Sequence, residues 1–519
     1  MATETELKLR IAPAEVARLL AHPLLQELGA GERLSLCGTY YDTPDRVLQA
    51  NRIGLRVRRE GTRWIQAVKT AGSALGGLHQ RQEWEAEVPD HQPVFAALPL
   101  VLQQGLFADN TLWARIIPWF TSEFERRLWL WRGDEGSVIE ICLDQGRIFN
   151  QTHSVTISEV ELELQQGPTE RVYQLALALL EQVPLVLENT SKAARGYALH
   201  APPPPSSLAH VPLPLLLKAK DSAEQAFIDI IQFSVAQLQS HESDWTRSQD
   251  SASAARRDQE ALCQMRLSLR GLRGLRAALF VYKKLMPVAS DKSLLIEIKW
   301  LNEELGLARD WARFNDTLEH LDLQLGEPQG LRDLGVTVAA IQAHYEQRVS
   351  DVLNAPRYTR LLLQLGGWLL QRPWRIEASP EQLAQWTQPA PVFASRRLDK
   401  LRKRLNRWGK QLPSLDDADL HALWVSCRHL DHAAHFFQRF YPTTATRRYL
   451  AQLAELRATL NLLSAAMQAK HLLAEAGIQP DCPAYQFLAG WYAAHRSLQI
   501  GLAQTQWQAL RHMKPFWRD

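Results

Sequence analysis

Over the first 200 residues, apolar and polar side chains alternate with a period of two in short runs. That period is the mark of strands with one face buried. The runs are "ETELKL" (4–9), "GLRVRREG" (54–61), "RWIQAVKT" (63–70), "RQEWEAEV" (81–88), "RRLWLWRG" (126–133), "SVIEICLD" (137–144) and "SEVELEL" (158–164). The second and third are separated by a turn around Gly61, which reads as a hairpin. Short helices are expected over 13–28 and 168–183. Beyond residue 217 the period becomes helical. Segments near 218–241, 257–285, 291–321, 331–349, 359–371, 379–388, 394–410, 417–439, 446–476 and 484–512 are punctuated by Pro and Gly. "APPPPSSLAHVPLPLLLK" (201–218) separates the two regimes, and its proline run favours an extended spacer. The expected division is a domain over 1–200, a linker over 201–216 and a helical domain over 217–515.

Side chains at i, i+2 and i+4 of a strand share a face. In the first run that face carries Glu4, Glu6 and Lys8, opposed by Leu7 and Leu9. Arg56 and Arg58 share a face, as do Glu83, Glu85 and Glu87, and Glu159, Glu161 and Glu163. Blocks of one sign on several strands repel unless opposite charges intervene. A solvated sheet face is the simpler explanation for one strand, but it does not account for four. A closed antiparallel barrel with its charged faces turned into a wet lumen does. Arg and Lys there suit phosphate oxygens, and clustered carboxylates suit a hard divalent cation. Together they point to metal-assisted phosphoryl chemistry.

Composition adds a contrast between the halves. Residues 1–200 hold 20 Lys and Arg against 25 Asp and Glu, and the remainder holds 39 against 31. Net charge is therefore −5 and +8, which suggests two domains with different electrostatic tasks. The five cysteines are scattered without metal-ligand spacing, as in a reducing compartment. With no signal-peptide pattern and no long apolar run, a cytoplasmic protein without a membrane partner is expected.

"ETELK" resembles the E-x-E-x-K signature of the CYTH, or triphosphate tunnel metalloenzyme, superfamily. "YYDTPDRVL", "LRVRR", "VKT", "HQRQEWE", the Arg after "SEF", "EICLDQG", "EVELEL" and "SKAARGY" follow in the family's order. The resemblance implies an eight-stranded antiparallel barrel whose tunnel binds a triphosphate. It implies metal-ligand roles for Glu4 and Glu6, and phosphate contacts for Lys8, Arg56, Arg58, Lys69 and Arg126. Glu83 and Glu85 match tunnel acids. Asp144, Glu159 and Glu161 match acids that hold metal or orient the attacking water, and Glu140 and Lys192 also align. The implied cofactor is Mg²⁺ or Mn²⁺. The implied activity is hydrolysis of inorganic triphosphate. Thiamine triphosphatase, a class IV-type adenylate cyclase and a polyphosphate-binding module with little catalysis are the alternatives.

In the helical part, Arg266, Arg270 and Arg273 of "QMRLSLRGLR" fall on one helical face. Seven Lys and Arg lie between Arg396 and Arg407. A basic groove of this kind fits a linear polyanion, and no motif that reads nucleic acid is present. "QMRLSLRGLR" and "LNEELGLARD" resemble signatures of the CHAD domain, a duplicated helical bundle associated with polyphosphate. The overall expectation is an α+β chain of two domains, barrel first and all-α bundle second. The chain departs from the CHAD pattern at Cys263, Trp424, Asp431 and Ala465, which implies weakened polyphosphate binding. His429, His432 and His435 drift around a helix and read as structural rather than as a metal site.

Overall fold

The computed structural model describes residues 2–70, 72–108, 110–200, 215–239, 254–286, 292–325 and 330–518. Most of the expected linker (201–214) and the side chains of Cys263 and Arg266 lie outside the described residues.

The strands are β1 (Ala2–Ile11), β2 (Glu32–Asp42), β3 (Gly54–Glu60), β4 (Arg63–Lys69), β5 (Ser73–Leu75), β6 (Leu78–Val88), β7 (Ile117–Arg132), β8 (Val138–Phe149), β9 (Ser154–Gln166) and β10 (Leu185–Leu187). Eight of them run β1-β9-β8-β7-β2-β3-β4-β6, and an antiparallel β1–β6 pairing closes the ring. The short β5 and β10 attach to β6 and β1. Closure removes the edges that an open sheet would expose.

Helices of seven residues or more are α1 (Glu170–Leu180), α2 (Lys192–Ala198), α3 (Ala223–Gln239), α4 (Ala254–Tyr282), α5 (Lys292–Leu325) and α6 (Leu331–Leu353). They continue as α7 (Pro356–Gln371), α8 (Pro380–Thr387), α9 (Ala390–Gly409), α10 (Asp417–Phe437), α11 (Thr444–Glu475) and α12 (Pro483–His512). The expected helix over 13–28 is broken into Pro13–Glu15, Val16–Leu20 and Pro23–Glu27, because Pro23 cannot donate within a continuous helix. The strand Glu32–Asp42 lies outside the alternating charged runs, because its inward face carries Leu36, Gly38 and Tyr40 instead of charges.

Outside the barrel, the apolar strand faces are covered in two places. Leu55, Val57 and Val68 pack with Leu98, Leu102 and Phe107 of the segment between β6 and β7. On the other side, Leu7, Leu9, Val160 and Leu162 are fully buried, and α1 lies along β1 and β9. The chain divides into two compact units, and Leu353–Gln371 belongs with the barrel. There α7 packs on α1 and β10, and a Cβ on Gly366 would stand 2.5 Å from the Tyr173 ring. A helix from the second half of the sequence therefore completes the first unit.

The second unit is all helical. One core gathers Trp311, Phe314, Leu334, Leu472 and Leu488 from α5, α6, α11 and α12. Another gathers Phe227, Tyr282, Trp374, Trp386 and Phe393, in which the Trp386 indole donates to the Leu285 carbonyl at 3.2 Å. Within this unit α4 and α10 touch each other. Among the described residues no helix is long and apolar enough to cross a membrane.

Candidate active site

Period two places the charged faces inward, and strand register decides which of them meet. In the register, Glu4 lies opposite Arg81, Glu6 opposite both His79 and Glu163, and Lys8 opposite Glu161. Glu163 in turn faces Glu140, so Glu6, Glu163 and Glu140 form an acidic row across β1, β9 and β8. Arg56 faces Tyr40, Lys69 faces Glu83, and Arg126 faces Asp144. Glu4, Glu6, Lys8, Arg56, Arg58, Lys69, Glu83, Glu85, Arg126, Glu161 and Lys192 all line one cavity of about 1050 Å³. Asp144 and Glu159 lie behind its wall, 0% and 1% exposed.

Two interlocked ion networks fill the wall. Glu4 accepts from Lys69 at 2.7 Å and from Arg81 Nε at 2.9 Å, and Arg81 also pairs with Glu6. Lys69 reaches Glu83 at 3.0 Å, and Lys8 reaches Glu6 at 3.0 Å and pairs with Glu161. Deeper, Arg126 makes a two-pronged bond to Asp144 at 2.7 Å and 2.7 Å, and a third to Glu161 at 2.6 Å. Lys192, delivered by α2, meets Asp144 at 2.6 Å and Glu161 at 3.0 Å and pairs with Glu159. Arg195 closes on Glu159. Ser191 caps α2 by accepting from Ala194 N, which fixes where Lys192 begins.

Proton affinities separate the cavity into regions. Burial alone would raise Glu161, but Lys192, Lys8 and Arg126 outweigh it and hold the carboxyl well below the usual range. Glu159 is lowered in the same way by Lys192 and Arg195. Glu163 goes the other way: burial and the neighbouring Glu4, Glu6 and Glu140 push it up to about 7. Negative charge is therefore in excess around Glu163, whereas Glu6 is paired with Lys8 and Arg81. On the opposite strands, burial and the adjacent Arg56 lower Arg58. Among the described residues Arg56 closes no ion pair, and its Nε has no partner. Gly38 leaves it room, since a Cβ there would stand 3.2 Å from its Cδ. Arg58 pairs with Glu60 and lies 3.5 Å from Glu85, while at Arg56 burial is outweighed by the nearby Tyr40, Glu83 and Glu85, which hold the guanidinium above its usual range.

The sequence-derived residues of the barrel thus converge, and three further ones join them. Arg81 shares the face of Glu83 and Glu85, so the period of two was enough to find it. Glu163 was visible as a face-mate of Glu161, but its local charge was not. Arg195 is one helical turn from Lys192, a spacing readable only once that segment is known to be helical.

In the helical unit, Arg273 sits among Arg309, Arg313 and Arg457, and burial with those neighbours lowers its guanidinium to about 10. Arg428 is lowered to about 10 by burial and by Arg273, Arg309, Arg276 and Arg313. Arg270 is exposed, and the Arg266 side chain lies outside the described residues. Asp431 is buried against Arg457 at 2.5 Å, and the Arg428 guanidinium lies over the Trp424 ring at 4.4 Å. His429 stacks on Phe280, and His435 bonds to the Asp431 carbonyl. Among the described residues, the group placed to hold a metal is Asp144, Glu159 and Glu161, with ligand oxygens within 4.8 Å of one another.

Comparison with known proteins agrees with this anatomy. The CYTH domain model matches residues 2–197 and the CHAD domain model residues 229–474. An inorganic triphosphatase of Haemophilus influenzae is 33% identical over 204 residues, which are 38% of this chain. The match spans about half of that relative, 55% of its length. The solved CHAD domain of the plant Ricinus communis is 25% identical, covering 59% of this chain and 98% of that one, with a TM-score of 0.47. A putative adenylyl cyclase from Hippeastrum, described as having dominant triphosphatase activity, is 16% identical. That match covers 38% of this chain and 98% of that one, with a TM-score of 0.30. The chain therefore carries a CYTH domain in its N-terminal barrel and a CHAD domain in its helical part.

Proposed function

We propose that the barrel hydrolyses inorganic triphosphate to pyrophosphate and phosphate with the help of Mg²⁺ or Mn²⁺. The observation that carries this reading is the polarity of the cavity. Arg56, which closes no ion pair among the described residues, and Arg58 present their guanidiniums on one wall, and burial with the neighbouring Glu4, Glu6 and Glu140 raises Glu163 on another. Phosphate oxygens suit the first and a hard cation the second. Arg56, Arg58, Lys69 and Arg126 would hold the substrate's oxygens, and Lys8 and Lys192 would stabilise charge that develops during transfer.

The acidic row offers a divalent cation Glu163, which closes no ion pair among the described residues and which burial and the neighbouring carboxylates raise to about 7. Glu4 and Glu6 would hold the ion beside Glu163 and Glu140, the cation taking over from their Lys69, Arg81 and Lys8 partners. Asp144, Glu159 and Glu161 have the spacing for a metal and, like Glu4 and Glu6, are ion-paired, here with Lys8, Arg126, Lys192 and Arg195. When bound, the ion would offset phosphoryl charge and lower the pKa of an attacking water.

The test is phosphate release from inorganic triphosphate, thiamine triphosphate, ATP and long polyphosphate, each with Mg²⁺ or Mn²⁺, together with cAMP formation from ATP. Faster turnover of thiamine triphosphate or conversion of ATP to cAMP would replace this reading. A second function is supported by the arginine cluster of the helical unit, whose mutual crowding calls for an anion. Long polyphosphate is the partner we assign to it, and binding that weakens steeply with salt is the expected signature.

A further inference from the structure

Asp42, the last residue of β2, is 0% exposed and does not line the cavity. Among the described residues it pairs with no cation. Its Oδ1 accepts from the backbone N–H groups of Thr43 at 2.7 Å and Leu48 at 2.8 Å. Its Oδ2 accepts from the Gln49 N–H at 2.9 Å and from the Tyr197 hydroxyl at 2.9 Å. A buried carboxylate held by neutral donors alone is costly unless every bond is made. Here one carboxylate joins two elements that both reach the cavity.

The first element is the turn Val47–Ala50 and the residues after it. Gln49 and Arg52 line the cavity, and Arg52 is held in the left-handed region at φ 56, a conformation a non-glycine residue adopts only when its surroundings impose it. The second is α2, which carries Tyr197 five residues after Lys192. Tyr197 meets the Phe120 ring edge-on at 5.1 Å, and α2 passes so close that a Cβ on Gly196 would lie 2.0 Å from that ring. The Asp42 bond adds the directional contact that packing alone lacks.

We propose that Asp42 is a positioning residue of this cavity. Through Tyr197 it sets the seat of α2, and with it the placement of Lys192 against Asp144 and Glu161. Those contacts, at 2.6 Å and 3.0 Å, leave little tolerance, since a shift of about 1 Å takes them past hydrogen-bond range. Asp42 thereby couples the Lys192 side of the site to the Gln49–Arg52 rim. The inference uses the triphosphatase reading only for its kinetic readout.

The test is Tyr197→Phe in the full chain, which removes one hydroxyl and leaves the turn's three backbone bonds to Asp42. Asp42→Asn is the stronger second variant. Tyr41→Phe is the control, since the Tyr41 hydroxyl makes a comparable bond to the His91 carbonyl at 2.6 Å on another side of the barrel. Turnover and KM with inorganic triphosphate and Mg²⁺, and Kd for inorganic triphosphate by calorimetry, are measured beside the melting temperature. Tyr197→Phe is expected to lower turnover roughly tenfold to a hundredfold, and Tyr41→Phe to stay within about twofold for a similar change in melting. In a Lys192→Arg background the Tyr197→Phe effect should shrink to about twofold, as expected of residues acting together. Unchanged turnover and Kd in Tyr197→Phe, or an undiminished effect beside Lys192→Arg, would overturn the proposal. If the unsubstituted protein releases no phosphate, the triphosphatase reading falls instead. The positioning claim is then decided by Kd alone, with the same pattern expected.

Discussion

Lys192 Nζ and Asp144 Oδ2 meet at 2.6 Å, although one comes from a helix and the other from a strand 48 residues earlier. Both are buried, and the same ammonium also serves Glu159 and Glu161. One cation thus compensates three carboxylates that would otherwise repel in a poorly solvated wall.

Removing that cation should therefore cost stability as well as activity. Lys192→Met is expected to destabilise the barrel by about 3–5 kcal/mol, with Lys192→Arg recovering most of it. Urea unfolding of the full chain, followed by a barrel tryptophan such as Trp129, checks this. A loss below about 1 kcal/mol would show that Arg126 and Arg195 suffice.

Arg56 should behave in the opposite way. It closes no ion pair among the described residues, although burial is outweighed by Tyr40, Glu83 and Glu85, which raise its guanidinium, so Arg56→Ala should cost only about 1 kcal/mol of stability. Affinity for inorganic triphosphate should fall roughly tenfold to a hundredfold, the worth of a hydrogen bond to a charged group. Calorimetry on both proteins reads the two effects separately.

Stability should also depend on pH with two opposed slopes. Glu163 binds its proton more tightly folded, at about 7, than a free glutamate at 4.5. Between those values the folded state holds more protons, so stability falls as pH rises from 4.5 through 7. Glu159 and Glu161 are lowered, so their contribution is lost as pH falls below the free value. In metal-free protein, Glu163→Gln should gain roughly 1–2 kcal/mol over the parent at pH near 8, and almost nothing below about pH 4.5. Equal gains at both ends would refute the assignment.

The helical unit offers a salt-sensitive counterpart. The Arg273 and Arg428 guanidiniums crowd one another at a cost in proton affinity, to about 10 each. Replacing both with Gln should leave folding intact or firmer and reduce polyphosphate affinity, with a shallower dependence on salt. Undiminished binding by the double variant would place the polyanion elsewhere.

Much of this anatomy follows from short-range pattern. Alternation in "ETELKL", "RQEWEAEV" and "SEVELEL" depends on backbone geometry alone, and it assigns each charge to a face wherever the strand lies. The helical segments beyond residue 217 are legible for the same reason, with Pro and Gly marking their ends close to the observed boundaries. Glu4, Glu6 and Lys8 could be placed on one inward face before any fold was known.

What only the tertiary structure decided is which faces meet. Register across β1, β9 and β8 put Glu6, Glu163 and Glu140 in one row, and it placed Asp144, Glu159 and Glu161 among four cations. Those are contacts between distant parts of the chain, and no local period encodes them. The same holds for α7, whose helical pattern was plain but whose membership in the barrel unit depends on Tyr173 packing against Gly366. Side-chain direction is a property of a few consecutive residues. Charge compensation belongs to the closed barrel, because a carboxylate's proton affinity depends on every neighbour that closure brings within reach.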